Sequence, residues 1–590
     1  VTEEPIESKA ARGSQTSLAS LLVCLPAVPI FAALIYDLTL HQGNLSANVA
    51  MQMEAARRIN SGELVYLDFW DWAQPLVVYA AALPLMLHQL LESLHSYVRL
   101  ELISKYLNMA LVLLSFALSV NLSKKIACDS EEEKNEKERE RDEEKTPNLS
   151  LPLSLPVSIS VALAVACYAV RFQFGEVQTQ FILAFMPYLL LRYIRHSRPG
   201  LKIAAWQAYL TGLLAGLGIC LDVTFWPLPL LLELLFVLYK GKLKPPPSRF
   251  EFAGLITAIL IAFAAFSSLN NLQQAAFIKW IMPLRLASLM VFDRALLPLA
   301  VTPDRRDIIY MLCLAMVTGA ALVRRNLLYM PLMAAALWGL VIYLCEGQGL
   351  SEQLALCTYC TTVILVLAYF DLAQALQRLT ARLIPAAKAP SQFTFIGTTT
   401  LLTTVAAVTF FNQSQYAFDQ ALSVRPEKNA IRYPDVEQTL EKYTKWQDDV
   451  ILISYSAKSI YPTLTNLERH QCGYLLSAQP LYLLAMLDEL GWLSKDLKDY
   501  RNALVQKLTH DFTCGQPKII LVDIMREQET LESLKLLEVL EQKYDRIGLC
   551  NYYNAYREPR EHIGLNLPLA IYHLKTDQLK PEQTQKRNPQ

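Results

Sequence analysis

Apolar residues along the chain gather in blocks of about 20, set apart by polar stretches. The first block covers about 18–40. Later ones fall at about 76–91, 103–122, 151–170, 178–194, 204–221, 224–239, 252–268, 306–322, 326–345, 354–373 and 393–411. A helix of that length crosses a hydrocarbon layer of about 30 Å and satisfies its own backbone hydrogen bonds, which lipid cannot do. The pattern therefore predicts a polytopic α-helical membrane protein. The first block is too long for a removable signal peptide and lacks a small-residue cleavage site, so it is read as the first crossing. Between the first two blocks lies a polar loop, 41–75. Within it, Val49, Met53 and Ala56 recur at three- and four-residue spacing, which predicts a helix over about 45–59 lying on the membrane surface.

After Asn412 the pattern changes to that of a soluble domain. Asp449–Tyr455 and Lys518–Val522 are short β-branched runs that read as buried strands, while Pro480–Leu508 and Glu527–Lys543 have helical spacing. Alternation of this kind predicts a small α/β domain over 412–575, followed by a disordered tail at 576–590. The run 129–147 is almost wholly charged, of both signs, and reads as a solvated cytoplasmic loop or frayed helix.

Charge sets the orientation, because Lys and Arg accumulate on the cytoplasmic side of membrane helices. Five clusters flank the blocks: Lys124 and Lys125; Arg192, Arg195 and Arg198; Lys240, Lys242 and Lys244; Arg324 and Arg325; and Arg378, Arg382 and Lys388. With all five inside, every block from 103 onward alternates and the α/β domain lies outside. An inside N-terminus then requires the 76–91 block, opened by Pro75 and ended by His88 and Glu92, to be juxtamembrane or re-entrant. That leaves eleven crossings; the alternative is a twelfth crossing with one cluster displaced.

Composition agrees with this class. Of 590 residues, 53% are hydrophobic and 18% charged, which excludes a soluble enzyme, a fibrous chain and a disordered one. A net charge of +0 points to no nucleic-acid partner. The chain has 11 cysteines, most of them inside apolar blocks where a thiol acts as a small hydrophobe, and Cys357 and Cys360 have no second ligand pair nearby. The absence of a glycine-rich phosphate loop argues against a nucleotide-driven pump, and the absence of an internal repeat argues against a secondary transporter.

Candidate chemistry lies at the outer helix ends and in the outer loops. The first outer loop and its approach hold Asp37, Asn44, Glu54, Asp68 and Asp71, with Arg57, Arg58 and the aromatics Tyr66, Phe69, Trp70 and Trp72. The aromatics suit an interfacial belt, and partial desolvation beside them raises a carboxylate toward general-base range.

The order from Gln42 to Tyr79 resembles the first outer loop of membrane glycosyltransferases with the GT-C fold, among them protein O-mannosyltransferases, aminoarabinose transferases and their bacterial relatives. The resemblance rests on an amphipathic helix, the turn Ser61–Gly62, the step Tyr66, Asp68, Phe69, and Pro75 opening the next helix. Phe174–Gly175 with Pro187–Arg192, the glycines Gly212, Gly216 and Gly218 with Pro227 and Glu233, and Gly347–Gln348–Gly349 resemble later segments of the same proteins. The sequence departs from them at Asn44, Gln178–Thr179, Asp222–Val223, Gln348 and Gln353, where the relatives carry charged or histidine residues.

The resemblance implies a GT-C-like transmembrane domain over 1–411 in a bacterial plasma membrane, moving a sugar from a polyprenyl-phosphate donor to an extracytoplasmic glycan, lipid or protein acceptor. Base candidates are Asp68, Asp71, Asp37 and Glu176. Candidates for the lipid phosphate are Arg171, Lys279, Arg285 and Gln178. No metal-ligand set is evident, and a divalent-metal requirement stays open. Because of the departures, a non-catalytic scaffold that binds lipid-linked sugar is the alternative.

Overall fold

The structure, a computed structural model, describes residues 22–40, 46–93 (without 72), 100–139, 154–240, 247–288, 303–346 (without 324–325), 354–383, 395–409, 434–454 (without 447), 461–524 (without 462 and 468), 527–552 and 567–575. The tail 576–590, the loop 347–349 and the charged run beyond Arg139 lie outside the described residues.

The apolar blocks form helices. In chain order these are α1 (Val28–Leu40), α2 (Ala47–Asn60), α3 (Pro75–Ser93), α4 (Leu100–Arg139), α5 (Ser154–Ala169), α6 (Val177–Ser197), α7 (Ala205–Ile219) and α8 (Pro227–Lys240). They continue as α9 (Arg249–Ser267), α10 (Asn271–Ala276), a π-helical turn Phe277–Ile281, α11 (Met282–Ser288), α12 (Pro303–Leu322), α13 (Tyr329–Glu346), α14 (Ala355–Leu383) and α15 (Phe395–Thr409). Among the described residues, five helices are long and apolar enough to cross a membrane: Leu22–Thr39, Pro75–Ser93, Leu102–Ala127, Arg249–Ser267 and Ala355–Leu376. Shorter apolar helices accompany them, and one buried cluster joins α1, α4, α5, α6, α13 and α14.

The bundle has two distinct ends. Asn108 of α4 meets Gln180 of α6 at one, and Ile126 accepts from Arg198 at the other. The 18 helical steps from Asn108 to Ile126 span about 27 Å, close to a hydrocarbon thickness. At the far end Arg192 is 1% exposed and pairs with Glu233 at 2.6 Å, while Arg195 and Arg192 both face the fully buried Glu251. Two of the arginines expected to flank the membrane are thus folded into an ion-pair network tying α6 to α8 and α9.

By length and composition α3 qualifies as a span, against the expectation of a short juxtamembrane segment. Its start and that of α4 nevertheless lie at the same end of the bundle, because Gln74 is at the loop holding Val223 and Lys105 is beside Leu38. Seven Cα steps separate Ser93 from Leu100, a reach of at most about 25 Å, whereas a helix of this length standing upright would carry Ser93 about 27 Å away from that end.

The C-terminal domain contains α16 (Pro434–Tyr443), β1 (Asp449–Ile453), α17 (Thr463–Asn466), β2 (His470–Gln471), α18 (Gln479–Glu489), α19 (Lys495–His510), β3 (Ile519–Asp523), α20 (Glu527–Ser533), α21 (Leu536–Lys543), β4 (Tyr544–Tyr552) and β5 (Leu567–Leu574). The sheet runs β2-β1-β3-β5-β4, with β1 parallel to β2 and β3, and β5 antiparallel to β3 and β4. Each expected long helix is two: Gly491 at φ +69° ends the first half of one, and Lys535 at φ +58° divides the other.

The expected surface helix is the sharpest correction. Ser46 caps α2, its hydroxyl accepting from Val49 N, but Val49, Ala50, Met51, Met53, Ala55 and Arg58 are buried around its circumference. Together with Tyr66, Phe69 and Trp70 they belong to the same apolar core as strands β1 and β3. The first loop therefore packs as part of the α/β domain. Burial of an aromatic such as Phe69 is worth about 2–3 kcal/mol.

Candidate functional site

At the end of the bundle beneath the α/β domain, two loops and the ends of α1 and α4 bring polar groups together. Glu176 precedes α6, where the helix dipole favours an anion. Its carboxylate accepts from the Ser46 hydroxyl and from Asn48 Nδ2 at 3.1 Å, stitching the start of α2 to the start of α6. Gly175 makes this approach by turning at φ +91°, and a Cβ there would stand 3.0 Å from Val49 Cγ2. Asp37, in the last turn of α1, is 3% exposed and pairs with Arg171 Nε at 2.8 Å. Arg171 also donates to Tyr168 O at 3.1 Å and lies over that ring.

Gln178 and Thr179 open α6 beside Glu176. Both are buried, and neither Gln178 Oε1 nor Thr179 Oγ1 has a hydrogen-bond partner among the described residues. Two further residues belong here that the sequence reading missed. Lys105 is buried and donates to Leu38 O at 3.3 Å, and Asn108 accepts from Gln180 at 3.1 Å.

A second group lies at the exit of the first loop. Gln74, with its amide set to donate to Cys220 O at 2.8 Å and accept from Val223 N at 2.9 Å, holds the loop that carries Asp222. Asp222 caps Thr224 and pairs with Arg285 of α11 at 2.9 Å. Asp71 is buried and accepts from Ala73 N at 2.9 Å, ending the loop before Pro75. Burial, with the Asp71 carboxylate adding to it, pushes the Tyr66 hydroxyl well above its ordinary value.

Not every expected residue joins these groups. Asp68 is exposed and accepts from Leu64 N at 2.7 Å, closing a turn on the side facing Lys507 of the α/β domain. The turn runs through Tyr66 at φ +71°, and beyond it Asp68 is exposed whereas Asp71 is buried. Lys279 is exposed on the π-helical turn, six residues before Arg285. Among the described residues no three His, Cys, Asp or Glu side chains gather closely enough to hold a metal ion.

No family model matches this chain, and no curated protein does.

The α/β domain docks on the first loop through backbone and side chain alike. Trp70 N donates to Tyr474 O at 2.7 Å, and Arg58 donates to Gly473 O at 2.7 Å. Lys507 donates to Leu67 O and lies 4.0 Å over the Tyr474 ring, while Trp280 stacks on Tyr500 at 5.1 Å. Desolvation in this seam lowers the Lys507 ammonium and raises the Asp511 carboxyl, which accepts from Tyr474 N at 2.7 Å.

Proposed function

We propose that the chain is an integral-membrane glycosyltransferase of GT-C type, moving a sugar from a polyprenyl-phosphate donor to an acceptor on the α/β-domain side of the membrane. The observation that carries this is the group around Glu176: a carboxylate at a helix start, next to buried polar atoms with no partner among the described residues and near the Asp37–Arg171 pair. Buried polar groups are almost always satisfied, so unsatisfied ones in such a setting favour a ligand. On this reading Glu176 takes the acceptor hydroxyl's proton, with Asp37 as its neighbour. Arg171, Lys105 and Arg285 hold the leaving phosphate, which competes with carboxylates for their guanidinium and ammonium groups. The basic clusters and the short link between α3 and α4 support eleven crossings with the N-terminus inside, and the resemblance supports a bacterial plasma membrane.

Sugar transfer by the purified full chain from defined polyprenyl-phosphate sugars tests it. Glu176→Gln is expected to lose at least about 10²-fold in rate, and Asp68→Asn to retain wild-type activity. Transfer that survives Glu176→Gln and Asp37→Asn removes the site assignment, and no transfer from any donor removes the enzymatic reading.

One observation favours the second reading, a scaffold that binds lipid-linked sugar without turnover. Arg171 and Arg285 are each closed on a carboxylate, which leaves little net positive charge for a phosphate. Polyprenyl phosphate that binds without any sugar transfer would support this alternative.

A further inference from the structure

The bundle leaves most of α9 bare: Phe252, Ile256, Ile259, Leu260 and Phe263 are all exposed along it. On a helix long and apolar enough to span, a face of this kind meets lipid. Beyond Ser267 the chain does not continue upright. Asn270 caps α10 in a reciprocal pair with Gln273, and Gln274 Nε2 donates back to Leu269 O at 2.9 Å. The rings of Phe266 and Phe277 are 5.9 Å apart, whereas eleven steps of one straight helix would separate their backbones by about 16 Å. The segment therefore turns across the end of α9 and stays at the height of its last turn.

Residues 271–288 carry two apolar faces. Ala276, Ile281 and Leu284 enter the core shared by the first loop and the α/β domain. On the same side Gln273 Nε2 donates to Val65 O at 3.1 Å, and Trp280 stacks on Tyr500. Five positions separate Ala276 from Ile281, the step of one π turn, which keeps both on that face. The other face holds Leu272, Ala275, Ile278 and Leu286, all exposed, Leu272 at 70% and Ile278 at 55%. Lys279 is exposed beside Ile278.

We infer that residues 271–288 form an interfacial segment whose outer face sits at the boundary of acyl chains and headgroups, so that the α/β domain rests on lipid as well as on the first loop. The inference rests on the spanning reading of the bundle and not on sugar transfer. Two features select lipid as the occupant. The outer face adjoins the exposed apolar surface of α9 at one height, where Ser268 donates to the Tyr79 hydroxyl of α3 at 2.9 Å. Lys279 adds a long apolar stem whose ammonium can reach headgroup phosphates, the pairing found on helices that lie in the interface. In water, Leu272 and Ile278 would keep their apolar area exposed with nothing gained.

The test places single nitroxide labels in the full chain, on a background lacking native thiols, through Leu272→Cys, Ile278→Cys, Ile259→Cys and Glu538→Cys. All four side chains are exposed, so labelling leaves the fold intact. The labelled chains are reconstituted into phosphatidylcholine nanodiscs. Collision rates with oxygen, which concentrates in lipid, and with a water-soluble nickel chelate then report depth. Ile259, midway along α9, is the lipid reference and Glu538 of α21 the aqueous one. Labels at Leu272 and Ile278 are expected to give an oxygen-to-nickel ratio several-fold above that at Glu538. If either matches Glu538 while Ile259 reads as lipid, the inference falls and the span stands. Low collision rates with both reagents would also overturn it, by showing that protein, such as a second copy of the chain, covers this face. A label at Ile259 open to nickel would remove the spanning reading itself, and the inference with it.

Discussion

At Gly175 the backbone holds φ +91°, where an L side chain costs about 1–2 kcal/mol, and a Cβ would also press on Val49. Gly175→Ala is therefore expected to destabilise the protein by about 1–3 kcal/mol, read as a lower melting midpoint in detergent. Asp511 carries the opposite lesson. Burial raises its carboxyl above the ordinary value, against the Tyr474 amide and the charges of His510, Arg58 and Lys507. A carboxyl raised in the fold costs stability while ionised, and that cost fades as pH falls through its folded value toward the ordinary one. Asp511→Asn keeps an acceptor for Tyr474 N, so it should raise the midpoint at neutral pH and lose that advantage in acid. The same scale shows what a sequence conceals. Asp68 and Asp71 stand three positions apart and look equivalent, yet Asp68 closes an exposed turn on Leu64 N while Asp71 is buried against Ala73 N. Lys105 and Asn108 were missed because a long apolar block hides single polar residues in its average.

Among the elements, α7 and α9 approach closely enough that a Cβ on Gly212 would stand 2.2 Å from Glu251 O, and one on Gly254 2.2 Å from Tyr209 O. The glycines of α7 were noticed in the sequence; their reason, direct backbone contact with α9, needs the partner helix. That contact also brings Glu251 to Arg195 and Arg192. Glu251→Ala would take that counter-ion from Arg195 and leave Arg192 with Glu233, at a cost of about 3–5 kcal/mol, measurable as a fall in melting midpoint. Helices were legible from apolar period and strands β1 and β3 from their β-branched runs. Strands β4 and β5 were not. Residues 553–566 separate them, too many for the short loop that announces a hairpin, β4 carries a register shift between Arg546 and Gly548, and Pro568 stands at the start of β5. Gly491 could have announced the break before α19, whereas Lys535 has no residue-type signal for a left-handed turn.

For the molecule as a whole, the first loop and the α/β domain share one core, so a bundle that spans a membrane places both on one side, with the 198–204 loop at the other end of the bundle. In a background lacking native thiols, Ser61→Cys and Trp492→Cys should react with an impermeant thiol reagent from the same side. Gly200→Cys should react only from the opposite side. All three positions are exposed, and labelling of all three from one face would contradict a spanning bundle. The α/β class of the tail was readable because its strand and helix periods are local. Its union with the first loop was not, since no local period reports a contact between Tyr66 and Tyr474, 408 positions apart.

That separation bears on how the protein is made. At about 5–20 residues per second, roughly 20–80 s pass between synthesis of the first loop and synthesis of the strands that cover it. During that time Phe69, Trp70 and the apolar positions of α2 have no native partner from the α/β domain. The bundle is by then largely complete, so assembly ends with the closing of a long chain loop. The first loop waits for the last domain, and a chain cut short before residue 434 would leave it uncovered.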